Sequence, residues 1–185
     1  DNPAIGLASS GVGDIPAFTA INSGNSPIVA TIKVTPKLNG CDGIPKTFTI
    51  TTNPSPSIIF TPTNQTICSG TASSLVNLSS AAAGTTFTWT ATEPTGISGV
   101  VTSGTNTIPV QTLINSTHLP IVITYLATAE STSGASCQGI PYPYTITVNP
   151  VPLITTTQEQ TICSNTSFSI NPLDGGGNIV PANTT

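Results

Sequence analysis

Residues 41 to 54 read CDGIPKTFTITTNP and residues 137 to 150 read CQGIPYPYTITVNP, one phrase written twice at an offset of 96. Self-similarity at a fixed period is the signature of tandem modules and outweighs any single-residue clue. Downstream, NQTICSGT at Asn64 to Thr71 returns as EQTICSNT at Glu159 to Thr166, offset by 95. Upstream, Ile15-Pro16, Ile21-Asn22 and Pro27-Ile28-Val29 return as Ile108-Pro109, Ile114-Asn115 and Pro120-Ile121-Val122, offset by 93. The drift is a three-residue insertion near Ser131 to Ser136. Insertions belong in loops, so it predicts a loop just before each of Cys41 and Cys137.

Prolines set the phase of the repeat. Asn53-Pro54-Ser55-Pro56 and Asn149-Pro150-Val151-Pro152 end apolar-alternating segments with residues that cannot continue a hydrogen-bonded ladder, which reads as a stiff linker. One complete repeat is therefore expected at 54–149, with the C-terminal part of a preceding repeat at 1–53 and the N-terminal part of a following one at 150–185. Such an excerpt belongs to a longer chain, because half a sandwich leaves open edges and an uncovered core.

Within the repeat the period is two. Phe87, Trp89 and Ala91 alternate with Thr86, Thr88 and Thr90; Ile121, Ile123 and Tyr125 alternate with Val122 and Thr124; Tyr144, Ile146 and Val148 alternate with Thr145 and Thr147. That pattern buries one face of a strand and wets the other. Further strands are expected near Ser57 to Thr61, Ser74 to Leu78 and Thr107 to Gln111, separated by turns at Ala83-Gly84, Pro94-Thr95-Gly96 and Ser103-Gly104. No helical periodicity competes. Short strands in a repeat of about 95 residues, with the single Trp on an early inner strand, predict an all-β, immunoglobulin-like β-sandwich. Its expected core includes Trp89, Phe87, Tyr125 and Ile123.

Charged residues make up only 5% of the chain, so its surface is mostly neutral and hydroxyl-bearing. Lys33, Lys37 and Lys46 are the only basic residues. Binding nucleic acid requires clustered cations, which excludes it as a partner. No apolar run reaches the roughly 18 to 20 residues that span a bilayer, so direct membrane insertion is not expected, nor does the segment carry a signal peptide of its own.

The four cysteines, Cys41, Cys68, Cys137 and Cys163, in a chain without methionine, point to an oxidising, extracellular compartment and to structural disulfides. Three pairings stay open. Cys68 with Cys137 falls within one repeat; Cys41 with Cys68 and Cys137 with Cys163 each straddle a linker; and the first cysteine of one repeat could meet the second cysteine of the next. Zinc-type ligand spacing is absent, and Asp14, Asp42 and Asp174 stand too far apart in sequence to suggest a calcium loop. Neither metal nor cofactor is expected.

His118 is the only histidine and has no counterpart in the preceding repeat, so a hydrolase built on a repeated base is not expected. Glu130 likewise has no acidic counterpart there, which argues against a carboxylate pair of glycosidase type. An enzyme is not predicted. The one ligand platform the sequence offers is an exposed aromatic, Tyr142, which would suit a carbohydrate- or protein-binding module.

Together, Val148 to Pro152, Gln65 to Gly70, Thr86 to Thr92 and Thr35 to Cys41 resemble the PKD-like repeats of giant surface adhesins of Bacteroidetes. The resemblance covers essentially the whole chain and implies tandem PKD-like sandwiches forming the shaft of a cell-surface adhesin. It also implies export by the type IX system to the exterior of the outer membrane and a part in adhesion or gliding motility. The expected partners are neighbouring repeats of the same chain, surface glycans or other cell-surface proteins. Two readings compete with the shaft: the binding module, and a subunit of a surface fibre joined by strand exchange, suggested by the partial domains at each end.

Overall fold

A computed structural model describes residues 5–132, 135–155, 157, 159–182 and 184. The insertion inferred near Ser131 to Ser136 falls partly on residues 133–134, outside the described residues. Among the described residues there is no helix; the fold is built from strands and loops. An N-terminal group holds β1 (Ile28–Val34), β2 (Lys37–Leu38), β3 (Cys41–Asp42) and β4 (Lys46–Thr52). Next come β5 (Ile59–Thr61), β6 (Gln65–Cys68), β7 (Val76–Ser79), β8 (Thr85–Ala91), β9 (Ile97–Ser98), β10 (Ser103–Thr105), β11 (Thr107–Ile108) and β12 (Ile114–Asn115). Last are β13 (Ile121–Ser131), β14 (Cys137–Gln138) and β15 (Tyr142–Asn149).

The order β10-β8-β13-β15-β6 forms one sheet, with β14 also on β13, and β11-β7-β5 forms a second. This is an all-β, immunoglobulin-like sandwich. Alternation in the sequence becomes alternation in burial: along β13, Ile123, Tyr125, Ala127 and Ala129 are buried, while Val122, Thr124 and Leu126 face water. Phe87, Trp89, Tyr144, Ile146, Val148, Val76 and Ile108 are buried as well. The indole of Trp89 lies over Gly104, where a Cβ would stand 2.4 Å from Cζ2, and its N–H donates to Thr107 O at 2.9 Å. A buried Trp needs such a partner. Gln111, also buried, is spent in the same way: its Oε1 accepts from Val101 N–H (2.6 Å) and Tyr125 O–H (3.2 Å), and its N–H donates to Ser73 Oγ (3.0 Å).

Most strand pairs are antiparallel, but β15 and β6 run parallel, with Ile146, Thr147, Val148 and Asn149 opposite Gln65, Thr66, Ile67 and Cys68. Ser69 N–H extends the ladder to Asn149 O at 2.8 Å.

The repeat seen in sequence is also a repeat in register. In the β1–β4 hairpin, Ile28 faces Thr52 and Val34 faces Lys46. In β13–β15, Ile121 faces Val148 and Ala127 faces Tyr142. Adding 93 to the first strand and 96 to the second converts every β1–β4 pair into a β13–β15 pair.

The chain divides into two compact units, Asp1–Ile58 with Ser79–Phe87 and Thr128–Pro141, and Ile59–Leu78 with Thr88–Ala127 and Tyr142–Thr185. In the first unit the linker is seated rather than loose. Pro54 and Pro56 are buried, Asn53 Nδ2 donates to Ala135 O (3.3 Å), and Ser55 Oγ donates to Gln138 O (3.4 Å). A Cβ on Gly139 would stand 2.1 Å from Pro56 O, so only glycine lets the linker lie this close.

One asparagine fixes the second unit at the ends of β6 and β15. Asn115 Nδ2 donates to Leu119 O (2.8 Å) and Val148 O (2.9 Å), its Oδ1 accepts from Thr117 N–H (2.9 Å), and its backbone N–H donates to Ser69 Oγ (2.9 Å). The first unit repeats this with Asn22, which donates to Ser26 O (2.9 Å) and Thr52 O (2.8 Å) and accepts from Gly24 N–H (2.9 Å). Replacing Asn115 by Ala removes the amide donor to Val148 O and the acceptor for Thr117 N–H, while Leu119 O keeps the Thr117 hydroxyl at 3.0 Å, so Asn115→Ala is expected to cost about 3 kcal/mol in urea unfolding. Asn115→Asp is expected to cost at least as much despite its matching shape, because a carboxylate would face those carbonyls.

Candidate functional site

The second unit carries an aromatic row. Phe60 of β5 lies against Tyr144 of β15, with ring centroids 5.0 Å apart, and against Tyr142, at 6.3 Å and 26° between planes. Tyr144 in turn meets Tyr125 at 6.3 Å, and Tyr125 meets Trp89 edge-on at 5.6 Å. Offset and edge-on pairs of this kind add about 0.5–1.5 kcal/mol each beyond the area they bury. The row runs from fully buried Trp89 and Tyr125 outward to Tyr142, which is 58% exposed. Tyr142 is thus a half-open ring backed by Phe60, a surface on which the apolar face of a sugar or a side chain could stack.

Inside the row the phenols stay neutral. Burial pushes the Tyr125 hydroxyl above its ordinary value of 10.0, against the opposing hydrogen bond to Gln111. Burial also raises Tyr144, against the bond with Gln65, whose Nε2 lies 2.8 Å from the phenol oxygen.

A second candidate is a cleft of about 490 Å³, lined by His118, Leu119, Pro120, Pro150, Pro152 and Pro181 among others. His118 Nδ1 lies 2.5 Å from Asp174 Oδ1. The Val180 N–H, at 2.8 Å, and then His118 hold the Asp174 carboxyl below its ordinary 3.8. His118 and Asp174 are both partly exposed, 44% and 45% by side chain, and the prolines lack backbone donors, so the pair acts as a clasp between loops. Sequence reading placed His118 on a surface loop and treated Asp174 as isolated; a contact across 56 residues leaves no local signal.

The remaining candidates do not converge. Cys41, Cys68, Cys137 and Cys163 are free, so neither of the two pairings within this chain, Cys68 with Cys137 or the linker-straddling pairs, is formed. Strand register explains the intradomain case. Cys137 lies opposite Ser131, the last residue of β13, whereas Cys68 lies opposite Asn149, one step past Val148, which faces Ile121 at the start of β13. An eleven-residue strand therefore separates the two levels, far beyond the about 7 Å between Cα atoms that a disulfide allows. Cys41 sits opposite Leu38, and Cys163 lies in an exposed segment outside any strand. Glu130 is occupied locally by a hydrogen bond from Ser136 Oγ. Among the described residues no group of three or more His, Cys, Asp or Glu is placed to hold a metal ion.

The functional part that sequence reading missed is Asn115 with Asn22. Its signal was present, since Ile21-Asn22 recurs as Ile114-Asn115, but the hydrogen bonds run to residues up to 46 positions away.

Residues 65–152 match the family model of the PKD-like domain, so this segment has the PKD-like fold. No curated protein matches the chain.

The two buried phenols predict alkaline sensitivity. Their folded values lie above the unfolded 10.0, so from about pH 10 upward the unfolded chain releases protons that the folded chain retains. The contribution of these two phenols to stability is expected to be level below pH 10 and to fall above it, and Tyr125→Phe with Tyr144→Phe should flatten that fall in pH-dependent unfolding.

Proposed function

We propose that these repeats form part of the structural shaft of a long secreted surface adhesin, carrying load between a cell and what it holds. The observation that carries this reading is the parallel β6–β15 pair. Strand β6 lies near the entry of the repeat and β15 at its exit, so tension along the chain pulls β6 from its N-terminal side and β15 from its C-terminal side. In a parallel pair those pulls oppose each other along the strands, and all the ladder bonds must yield together. The seated segment 53–56 supports the same reading, since Pro54 and Pro56 are buried and Gly139 admits the Pro56 carbonyl.

The repeat boundaries 1–53, 54–149 and 150–185 belong to this proposal, as do a place on the exterior of the bacterial outer membrane, export by the type IX system and a role in gliding. So does the absence of catalysis and of a cofactor. The neutral surface suits a shaft, because few charges mean little self-repulsion and little sensitivity to salt.

Force spectroscopy on a tandem array of residues 54–149 tests the load path. Alternate residues of a parallel strand make the ladder bonds, so of Thr66→Pro and Ile67→Pro one removes a load-bearing N–H. That variant is expected to unfold at well under the parent force; unchanged force in both would sink the proposed load path.

A second reading rests on Tyr142, whose ring is exposed over Phe60. Under it the repeat is a carbohydrate- or protein-binding module. For a shaft, a glycan array probed with residues 54–149 should give no saturable signal. A saturable isotherm abolished by Tyr142→Ala would transfer the function to the module.

A further inference from the structure

Three Asx–Gly steps occur in the chain, Asn39-Gly40, Asp42-Gly43 and Asp174-Gly175. At such a step the glycine nitrogen can attack the side-chain carbonyl carbon of the residue before it, because no Cβ crowds the approach. Attack needs an electrophilic side chain, a glycine N–H that is not already donating, and a backbone free to bend into a succinimide ring. Two of the steps fail. Gly43 N–H donates to Pro36 O at 2.8 Å, and the Asp42 carboxylate pairs with Lys37 Nζ at 3.0 Å. Gly175 N–H donates to Asn178 O at 3.2 Å, while Val180 N–H and then His118 keep Asp174 ionised. An ionised carboxylate is a poor electrophile.

Asn39-Gly40 is under neither restraint. Its electrophile is a neutral amide, both residues are exposed, and among the described residues neither the Asn39 carboxamide nor the Gly40 N–H makes a hydrogen bond. A Cβ on Gly40 would meet nothing within 4 Å beyond its chain neighbours. Other asparagines are closed to this route. Asn53 and Asn149 precede proline, which has no N–H to attack with, and Asn22 and Asn115 spend their amides on backbone carbonyls. No other asparagine precedes glycine. Ala135 and Ser136, which precede Cys137 as Asn39 and Gly40 precede Cys41, are exposed too, so this position is open in both hairpins.

We propose that Asn39 is a site of spontaneous deamidation that loosens the β2–β3 tip with age. The Gly40 nitrogen bonds to Asn39 Cγ and gives up its proton, the Cγ–Nδ2 bond breaks, and ammonia leaves. Water then opens the succinimide at either carbonyl, giving aspartate or isoaspartate. Asn39 (φ 49°) and Gly40 (φ 84°) form the left-handed two-residue turn that Asn-Gly favours. The ring forces Asn39 out of that shape, so the reaction starts from an opened hairpin. Opening is cheap. Strands β2 and β3 share two residue pairs, and the Lys37–Asp42 ion pair between them is exposed, 67% and 59% by side chain. Either product sets a new carboxylate near Asp42, and isoaspartate adds a backbone carbon that the two-residue turn does not accommodate. The change runs one way, and it depends on neither the shaft nor the binding-module reading.

Ageing the 185-residue chain in isotope-labelled water at mildly alkaline pH, followed by tryptic mapping, tests it. The fragment ending at Lys46 holds both Asn39 and Asp42. It is expected to convert to two acidic isomers carrying solvent oxygen at residue 39 and not at residue 42, ahead of every other asparagine-containing fragment. Raising the pH should speed the conversion, because the amide nitrogen attacks in its deprotonated form. Lys37→Gln removes the exposed ion pair, favours the open hairpin, and is expected to raise the rate by up to about fivefold. Asn39→Gln should abolish it, since the longer side chain closes a ring far more slowly. A chain that stays unconverted while the free peptide 38–46 deamidates overturns the proposal. So does earlier conversion at another residue, or a rate unmoved by Lys37→Gln.

Discussion

The buried side chain of Asn115 governs the end of the sandwich where β6 and β15 stop. It ties the loop before β13 to Val148 O, while its own backbone N–H reaches Ser69, the first residue past β6. Without that tie, β15 would fray from the linker side and take the parallel pair with it. The cost of burying an amide is met by using both of its ends, which is why an apolar residue of similar size could not stand there. Asn22 makes the same arrangement in the first unit, so the tie is not one local accident of packing.

Around that tie the core is organised by size. Trp89 is accommodated because Gly104 stands across the ladder from it, and Tyr125 because Gln111 accepts its hydroxyl. Toward Phe60 the row ends on Tyr142 at the surface. A single line of rings therefore spans the interior and reaches solvent, so the same residues that fill the core also create an aromatic patch at the surface.

Much of the fold was legible because its signals are local or repeated. Thr86 to Ala91 states its inward and outward faces residue by residue, and the offsets of 93 and 96 carry over into strand register without change. What could not be read depends on partners distant in sequence. Gln65 to Cys68 looks like any short strand, and nothing in those four residues says that it pairs in parallel with a strand some 80 positions later. The His118–Asp174 clasp is hidden for the same reason. Disulfides were expected because cysteine count and composition report on compartment, whereas bond formation depends on the strand levels at which the residues come to lie. The ligand platform was legible only as an exposed aromatic; its backing by Phe60 needed the fold.

Gly139 has an implication for inheritance. The carbonyl of Pro56 fits only because Gly139 carries no side chain, and Gly139 belongs to the far end of the sequence that Pro56 begins. A linker and the loop that receives it are therefore a matched pair separated by more than eighty residues. When such a gene lengthens by copying itself, a segment excised from linker to linker brings lock and key along together. A breakpoint placed between them joins a proline from one ancestor to a loop from another, and any residue larger than glycine in that loop leaves the joint unseated. Selection for seated joints would keep the copying frame at the prolines, however freely the threonines on the outer faces drift.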